Sequence, residues 1–517
     1  HLMFATATTF LRMVRAAWTL ARHDAMFPVE YQAIFPAPAR LAGKLARLFA
    51  IRNRAANPGE RLARALEELG PSYVKLGQVL ATRADVVGIE FARGLSRLQD
   101  RMAPFPDAIA RKVVEAELGE SIEALFAEFG PPAAAASIAQ VHKAVTRSGE
   151  TVAVKVLRPD IDRRIHRDIA VLRMGAGIAV KLFPASKRLE PRAFVETVAR
   201  SLVLELDLRM EAAGASELLE AATAAGNLNI PQVVWPLTSK RVLTTEWIDA
   251  LPLTDIAAIE AAGIDRVRLA ADITDAFLAC ALDRGVFHAD MHAGNLFVDR
   301  SGGLWAVDFG IVGRLEGPER RYLARILHGF LTRDYAAAAE AHFDAGYVPA
   351  HHAHADFAAA LRSVAEPIFG KRADEVPMSR VLLQLFEVTE LFDMHLQPQL
   401  ILLQKTMVQV EGVCRTLTPA HDMWESSAPA VERFMRREIG PEGKVRDFLA
   451  DLEKLRTSLI RLPDTLDRLT AAAERMETPS STAQTRQRGL WLTGLLIAGA
   501  AFAGVVFTLA LTGRIAL

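Results

Sequence analysis

Five polar side chains, met in a fixed order on otherwise apolar elements, limit this chain more than anything else in it. Lys155 lies in Thr151-Val-Ala-Val-Lys155-Val-Leu, a β-branched run that predicts a strand, with Arg147-Ser-Gly-Glu150 as the turn of the hairpin before it. Ser201 to Leu219 has helical apolar spacing and carries Glu205, Asp207 and Glu211, acids that can partner a buried lysine. Val242-Leu-Thr-Thr-Glu246-Trp-Ile248 predicts another strand, whose edge near Glu246 suits a base. Next come His288-Ala-Asp290-Met-His-Ala-Gly-Asn295 and, after a Gly302-Gly303 turn, Ala306-Val-Asp308-Phe309-Gly310.

Phosphoryl transfer asks for such a set. A triphosphate needs a cation on its α and β oxygens, metal bridging its tail and a carboxylate near the attacking oxygen. Lys155 supplies the cation and Glu211 the anion that fixes it; Asp308 and Asn295 offer the hard oxygens magnesium prefers. Asp290 stands where a hydroxyl or water is oriented. Each piece alone is common, but their order and spacing together are hard to produce by accident.

Composition narrows the rest. Lys plus Arg (61) equals Asp plus Glu (61), so bulk charge gives no reason to expect a nucleic-acid partner. With 51% hydrophobic and 24% charged residues, a mainly disordered chain is excluded, and 517 residues predict about three units at roughly 150 each. Cys280 and Cys414 stand too far apart in sequence for a disulfide framework or a cysteine zinc site, which points to a reducing compartment. His351, His352 and His354 sit in an alanine-rich stretch that reads as a helix end rather than a metal site. His1-Leu2 ahead of Met3 reads as a fragment edge.

Both ends point to a bilayer. Gly489 to Gly513 carries no charge over 25 residues. As a helix it reaches roughly 37 Å, against a hydrocarbon core of about 30 Å. Gly494, Ala498, Gly499, Ala501 and Gly504 would let a second copy approach, hence a homodimer. Arg486 and Arg488 before the span, against Arg514 after it, put the body on the cytoplasmic side or its organellar equivalent. At the other end no acid precedes Asp24, and Phe10, Leu11, Val14 and Trp18 lie beside Arg12, Arg15 and Arg22. Such a helix fits an anionic membrane surface, a packed core or a targeting segment. Leu452, Leu455, Leu459, Leu462, Leu466 and Leu469 trace a heptad seam that Pro463 divides into two short helices, before a tether at 478–488.

Longer motifs carry a family resemblance. Gly70-Pro-Ser-Tyr-Val-Lys75-Leu-Gly77-Gln78 matches a K-x-G-Q segment, Pro132 to His142 an alanine-rich nucleotide loop (Ala134, Ala135, Ala136, Ser137), and Glu205-Leu-Asp207 an E-x-D pair. With the kinase pieces, the chain resembles the UbiB family of atypical protein-kinase-like proteins, tied to ubiquinone biosynthesis. Met291 and Ala293 replace two prolines of that family's catalytic loop, which predicts a looser loop, and Gly214 replaces an asparagine.

The resemblance implies an α+β, bilobal protein-kinase-like fold with a helical N-terminal extension, helical C-terminal additions and a C-terminal transmembrane helix. Its parts would be a basic, amphipathic extension (1–58), the K-x-G-Q segment over the cleft (59–130), an N-lobe (131–250), a C-lobe (251–440), amphipathic helices (441–477), the tether (478–488) and the span (489–513). It also implies ATP or ADP with Mg2+, and a lid of Lys75, Gly77 and Gln78 latched by Glu205 and Asp207. Alanines cannot take left-handed backbone as glycines do, so Ala135→Gly or Ala136→Gly is expected to change the ATP to ADP preference.

Three activities fit. The first is a membrane-anchored ATPase acting on lipophilic quinone precursors or organising other enzymes of ubiquinone biosynthesis. The second is a kinase for a protein or small-molecule hydroxyl, and the third a nucleotide-sensing scaffold without turnover. The expected place is the bacterial inner membrane, crossed once, with the mitochondrial inner membrane as the alternative. A flavin monooxygenase finds no support, since no G-x-G-x-x-G follows a strand.

Overall fold

A computed structural model describes residues 2–25, 57–81, 91, 94, 95, 98, 103–182, 191–226, 228–367, 384, 387–389, 391–394 and 398–440. Contacts divide the chain after Gly440, and all of these residues belong to the first unit. The helices expected at 441–477, the tether at 478–488 and the span at 489–513 lie outside the described residues. Among the described residues no helix is long and apolar enough to cross a membrane.

Among the described residues the first helices are α1 (Leu2–Arg22), α2 (Pro58–Leu69) and α3 (Pro71–Ala81). Asn57 caps α2, its side chain accepting the Glu60 N–H at 2.8 Å, and Pro58 occupies the first turn, where no N–H is needed. Gly70, at φ 110°, turns the chain straight into α3. Ala16, Ala63, Leu66, Tyr73, Val74, Leu95 and Leu98 form the core these helices share.

After α4 (Asp107–Leu118) and the single turn α5 (Ile122–Leu125) comes an antiparallel sheet in the order β1-β2-β3-β4. Its first three strands are β1 (Phe126–Ala135), β2 (Ala139–Thr146) and β3 (Thr151–Leu157). Pro131 and Pro132 are tolerated because β1 is an edge strand, bulged around Pro132. The predicted hairpin turn joins β2 to β3, with Gly149 at φ 89°. In β3 the side-chain period of two sends Val152, Val154 and Val156 into a core with Ala110 and Val114 of α4. Lys155 therefore stands on the opposite face.

Between β3 and β4 lie α6 (Ile161–Leu182), α7 (Pro191–Leu204) and α8 (Leu208–Ala225), and then β4 (Val242–Glu246). The apolar spacing of Ser201 to Leu219 predicts one helix, but the structure breaks it at Glu205–Asp207. Asp207 caps α8, accepting the Arg209 N–H, and Leu208 donates its N–H to Lys240 O. Leu202, Leu206 and Leu208 are buried on both sides of the break, so the apolar period alone conceals it.

Among the described residues the larger lobe, from β5 onward, has two small sheets: β5 (Ala250–Pro252) joins β7 (Leu296–Asp299) and β8 (Leu304–Ala306), and β6 (Val286–His288) joins β9 (Val312–Arg314). Between β5 and β6 run α9 (Ile256–Ala261) and α10 (Arg266–Ala279). The chain continues through α11 (Gly317–Leu331), α12 (Tyr335–Asp344), α13 (His354–Ala365), α14 (Pro398–Leu417) and α15 (Met423–Phe434). One core joins Leu269, Ile273 and Phe277 of α10 to Leu403, Val410 and Val413 of α14 and to Leu296 and Val298 of β7.

Candidate functional site

On the cleft face of β3, Lys155 Nζ donates to Glu211 Oε1 at 2.7 Å and to Oε2 at 2.9 Å. Glu211 is in the first turn of α8, so the cap at Asp207 sets its position. Burial pushes the Glu211 carboxyl up, opposed by the Lys155 ammonium. The same ammonium lies 3.6 Å from Asp308 Oδ1. Lys155, against burial and with help from Lys75, brings Asp308 down to about 2. Asp308 has φ 63°, a left-handed conformation that aspartate tolerates better than most residues.

Gly214 explains how α8 comes so near. An added β-carbon there would stand 3.0 Å from Val312 Cγ2 and 3.3 Å from Phe309 O, so the helix packs directly on the Asp-Phe-Gly turn.

The loop from Ala289 to Asn295 links β6 to β7. His288 Nδ1 accepts the Asp290 N–H at 3.1 Å and Nε2 donates to Val307 O at 3.0 Å, which fixes one tautomer; burial lowers its pKa and keeps the ring neutral. Asn295 Nδ2 donates to Asp290 O at 3.0 Å, and His292 Nδ1 accepts the Gly294 N–H at 3.0 Å. Met291 is buried. These hydrogen bonds are made by residues on either side of Met291 and Ala293. Val307 ties the halves of the site together, accepting from His288 and donating its N–H to Asn295 O at 2.9 Å. Lys155, Glu211, Asp290, Asn295 and Asp308 accordingly share one neighbourhood.

Two residues that sequence reasoning missed complete it. From α14, Lys405 Nζ and Gln409 Nε2 donate to Asp290 Oδ1 at 3.1 and 2.9 Å. Burial pushes Asp290 up, but the ammonium and the amide outweigh it and hold the carboxyl below its ordinary value. The available signal was a lysine and a glutamine one turn apart in the apolar run Leu400-Ile-Leu-Leu-Gln-Lys405-Thr-Met-Val-Gln409-Val.

On α3, Lys75 Nζ lies 3.0 Å from Glu205 Oε1, in the turn between α7 and α8. Asp207 is elsewhere engaged, pairing with Arg209 Nη2 at 2.7 Å as it caps α8. Gly77 faces Leu66, Leu95 and Leu98, and Gln78 is half-buried beside it. Ser72 Oγ donates to buried Asp168 Oδ2 at 2.7 Å, fastening α3 to α6.

Ala134 and Ala135 belong to β1, paired with Val141 and Gln140, so the alanine-rich loop is largely strand. Ala136 follows, its carbonyl accepting from Arg158 Nη2 at 2.8 Å, and Ser137 is buried. None of the three alanines has a positive φ. Glu246 ends β4, exposed, with its N–H donated to Gln232 O at 2.8 Å.

Other histidines take separate parts. His142 is structural in its contacts, bonded to Gly130 O and Gln140 and stacked on Phe129. His354 stacks on Phe343 and is not among the potential metal ligands His351, His352 and Asp393, whose ligand atoms lie within 4.8 Å of one another.

The pattern of the ABC1 atypical kinase-like domain matches residues 97–342, and that of the UbiB helical domain matches residues 361–422. A Marinobacter nauticus protein named Probable protein kinase UbiB is 40% identical over 448 residues, 85% of this chain and 81% of its own. Its namesake from Pseudomonas paraeruginosa is 40% identical over 454 residues, 86% of this chain and 85% of its own. A solved complex of Rv3197 with erythromycin, from Mycobacterium tuberculosis, has 24% identity and a TM-score of 0.48, covering 74% of this chain and 94% of that one. With the kinase-like α+β architecture on which these residues sit, the two relatives and both domain patterns establish that the chain belongs to the UbiB family of atypical kinase-like proteins.

Proposed function

We propose that this protein hydrolyses ATP at the site around Lys155 and Asp308, and that hydrolysis serves the handling of lipophilic quinone precursors at a bilayer. The observation that carries the reading is the union of Lys155, Glu211 and Asp308 with Asp290 and Asn295, joined through Val307 and His288. Lys155, fixed by Glu211, would hold the α and β phosphates. The Asp308 carboxylate and the Asn295 amide oxygen, left over when Nδ2 donates to Asp290 O, suit Mg2+, which when bound neutralises charge on the phosphate tail. Asp290, kept ionised, would orient water and accept its proton as the new phosphorus–oxygen bond forms and the bond to ADP breaks.

Water is favoured over a protein hydroxyl because α3 stands beside the site. Lys75 pairs with Glu205 and its charge is felt at Asp308, leaving less room for a peptide there. Membrane action draws on the charge-free 489–513 stretch and on α1, and the arginine bias about that stretch favours the cytoplasmic face of a bacterial inner membrane.

Phosphate release should be measured with anionic liposomes and a phenolic quinone precursor. Wild type is expected to release phosphate and Lys155→Ala or Asp308→Asn to lose at least a hundredfold in rate, the order seen when a charged transition-state contact is removed. Full activity in Asp308→Asn would sink the mechanism. Transfer to an added acceptor in place of water would make the protein a kinase.

A further inference from the structure

The catalytic loop from His288 to Asn295 contains no lysine, and among the described residues the cation nearest its aspartate arrives from another region of the chain. Lys405 stands 115 positions beyond Asp290 and Gln409 stands 119 beyond it, both within the segment that matches the UbiB helical domain. Being four residues apart on α14, they present ammonium and amide to the same carboxylate oxygen. Oδ1 is thereby saturated from one side. Oδ2 is left toward His292, whose Nε2 is 3.8 Å away, too far for a hydrogen bond.

Gln409 makes this contact at a cost. Its Oε1 is buried and has no hydrogen-bond partner among the described residues. An unmade buried acceptor is unfavourable. The amide is not placed there to satisfy itself, and what its position secures is the bond to Asp290. The helix around it is anchored independently, since Leu403, Val410 and Val413 lie in the core with α10.

We propose that Lys405 and Gln409 are positioning residues of the phosphoryl-transfer site, clamping Asp290 Oδ1 so that Oδ2 meets the attacking oxygen, and that the helical domain thereby completes the active site of the kinase-like domain. This rests on the hydrolytic reading above for its catalytic consequence, but the clamp itself does not. A helical domain that only buttressed the larger lobe would have no need of a charged contact with the catalytic loop.

The test uses the full-length protein with Lys405→Met, Lys405→Arg, Gln409→Ala, Asp290→Asn and the double variant Lys405→Met/Asp290→Asn. Phosphate release is followed against MgATP concentration. Lys405→Met should lower kcat about a hundredfold, as expected for a misplaced general base, with KM for ATP within about threefold. Lys405→Arg should regain about tenfold of the loss, and Gln409→Ala should lose about tenfold. In the Asp290→Asn background Lys405→Met should cost less than about threefold more, since two residues acting as a unit are not additive. A kcat for Lys405→Met within threefold of wild type, or the same loss with Asp290 already replaced, overturns the proposal.

Should wild type release no phosphate, the hydrolytic reading fails by itself. The clamp is then read from a urea-unfolding double-mutant cycle of the same variants. Coupling between positions 290 and 405 at pH 7 supports it, and no coupling at pH 7 overturns it. If Lys405→Met does not fold, Lys405→Arg and Gln409→Ala carry the kinetic test, and equal rates in both and wild type overturn it.

Discussion

Asp308 joins two demands that usually conflict. Its backbone is left-handed, and its carboxylate is held ionised beside Lys155 although burial works against it. These demands can be separated by substitution. Asparagine keeps the tolerance for positive φ and loses the charge; alanine loses both, and a β-carbon in left-handed backbone costs roughly 1–2 kcal/mol. Asp308→Ala should therefore unfold in urea about 1 kcal/mol sooner than Asp308→Asn, and equal midpoints would show that the left-handed turn relaxes without cost. The charge has its own signature. Because the folded carboxyl titrates at about 2, below the unfolded value, its contribution is complete above the unfolded pKa and is lost as pH falls through about 2. The stability difference between wild type and Asp308→Asn should shrink over that window and stay flat from pH 5 to 7. Measured by urea titration at each pH, a difference that instead grows on acidification would mean that Lys155 does not hold this charge.

At the scale of elements, α3 depends on an absent side chain. A β-carbon on Gly77 would collide with Leu98 Cδ1 and stand 2.7 Å from Leu66 Cδ1, and both leucines are buried. Gly77→Ala should gain helix propensity of about 1 kcal/mol yet lose about 1–3 kcal/mol to overpacking. The expected outcome is a net fall in urea stability together with a shift of α3, read as a changed nucleotide affinity. A more stable protein with unchanged affinity would mean the leucines yield freely. The close packing at Gly77 was readable in advance, because a glycine in a helical pattern needs a reason. So was the hairpin that presents Lys155, through its turn and its alternation of two. The break at Glu205–Asp207 was not, since buried leucines keep a helical period across it and only the capping aspartate marks the boundary. Lys405 was legible only as an odd charge in an apolar helix. Periodicity tells which face is polar but not which loop it meets, and that pairing is made by α14 packing on α10 in the tertiary core.

At the scale of the whole molecule, α1 carries an exposed apolar face among the described residues. On α1, Phe10 is 52% exposed, Leu11 67%, Val14 47% and Trp18 48%, whereas Ala16 and Thr19 are buried. At about 100° per residue the four apolar positions fall within about 100° of the helix circumference, and Arg15 and Arg22 fall along one border of that stripe. The helix thus uses one side for the core it shares with α2 and α3 and turns an apolar stripe with a basic edge outward. Core packing therefore accounts for only part of the pattern read from the sequence. The proposed contact with an anionic bilayer would use the remainder, since each arginine near such a surface is worth about 1 kcal/mol and the apolar side chains can leave water. Replacing Phe10, Leu11 and Val14 together by serine should leave phosphate release with zwitterionic vesicles unchanged. Its stimulation by vesicles rich in phosphatidylglycerol should fall at least about fivefold, or about 1 kcal/mol in binding, with a further loss for wild type at high salt where the arginines are screened. Equal stimulation of the serine variant and wild type would take α1 out of the membrane contact and leave any lipid response to other parts of the chain.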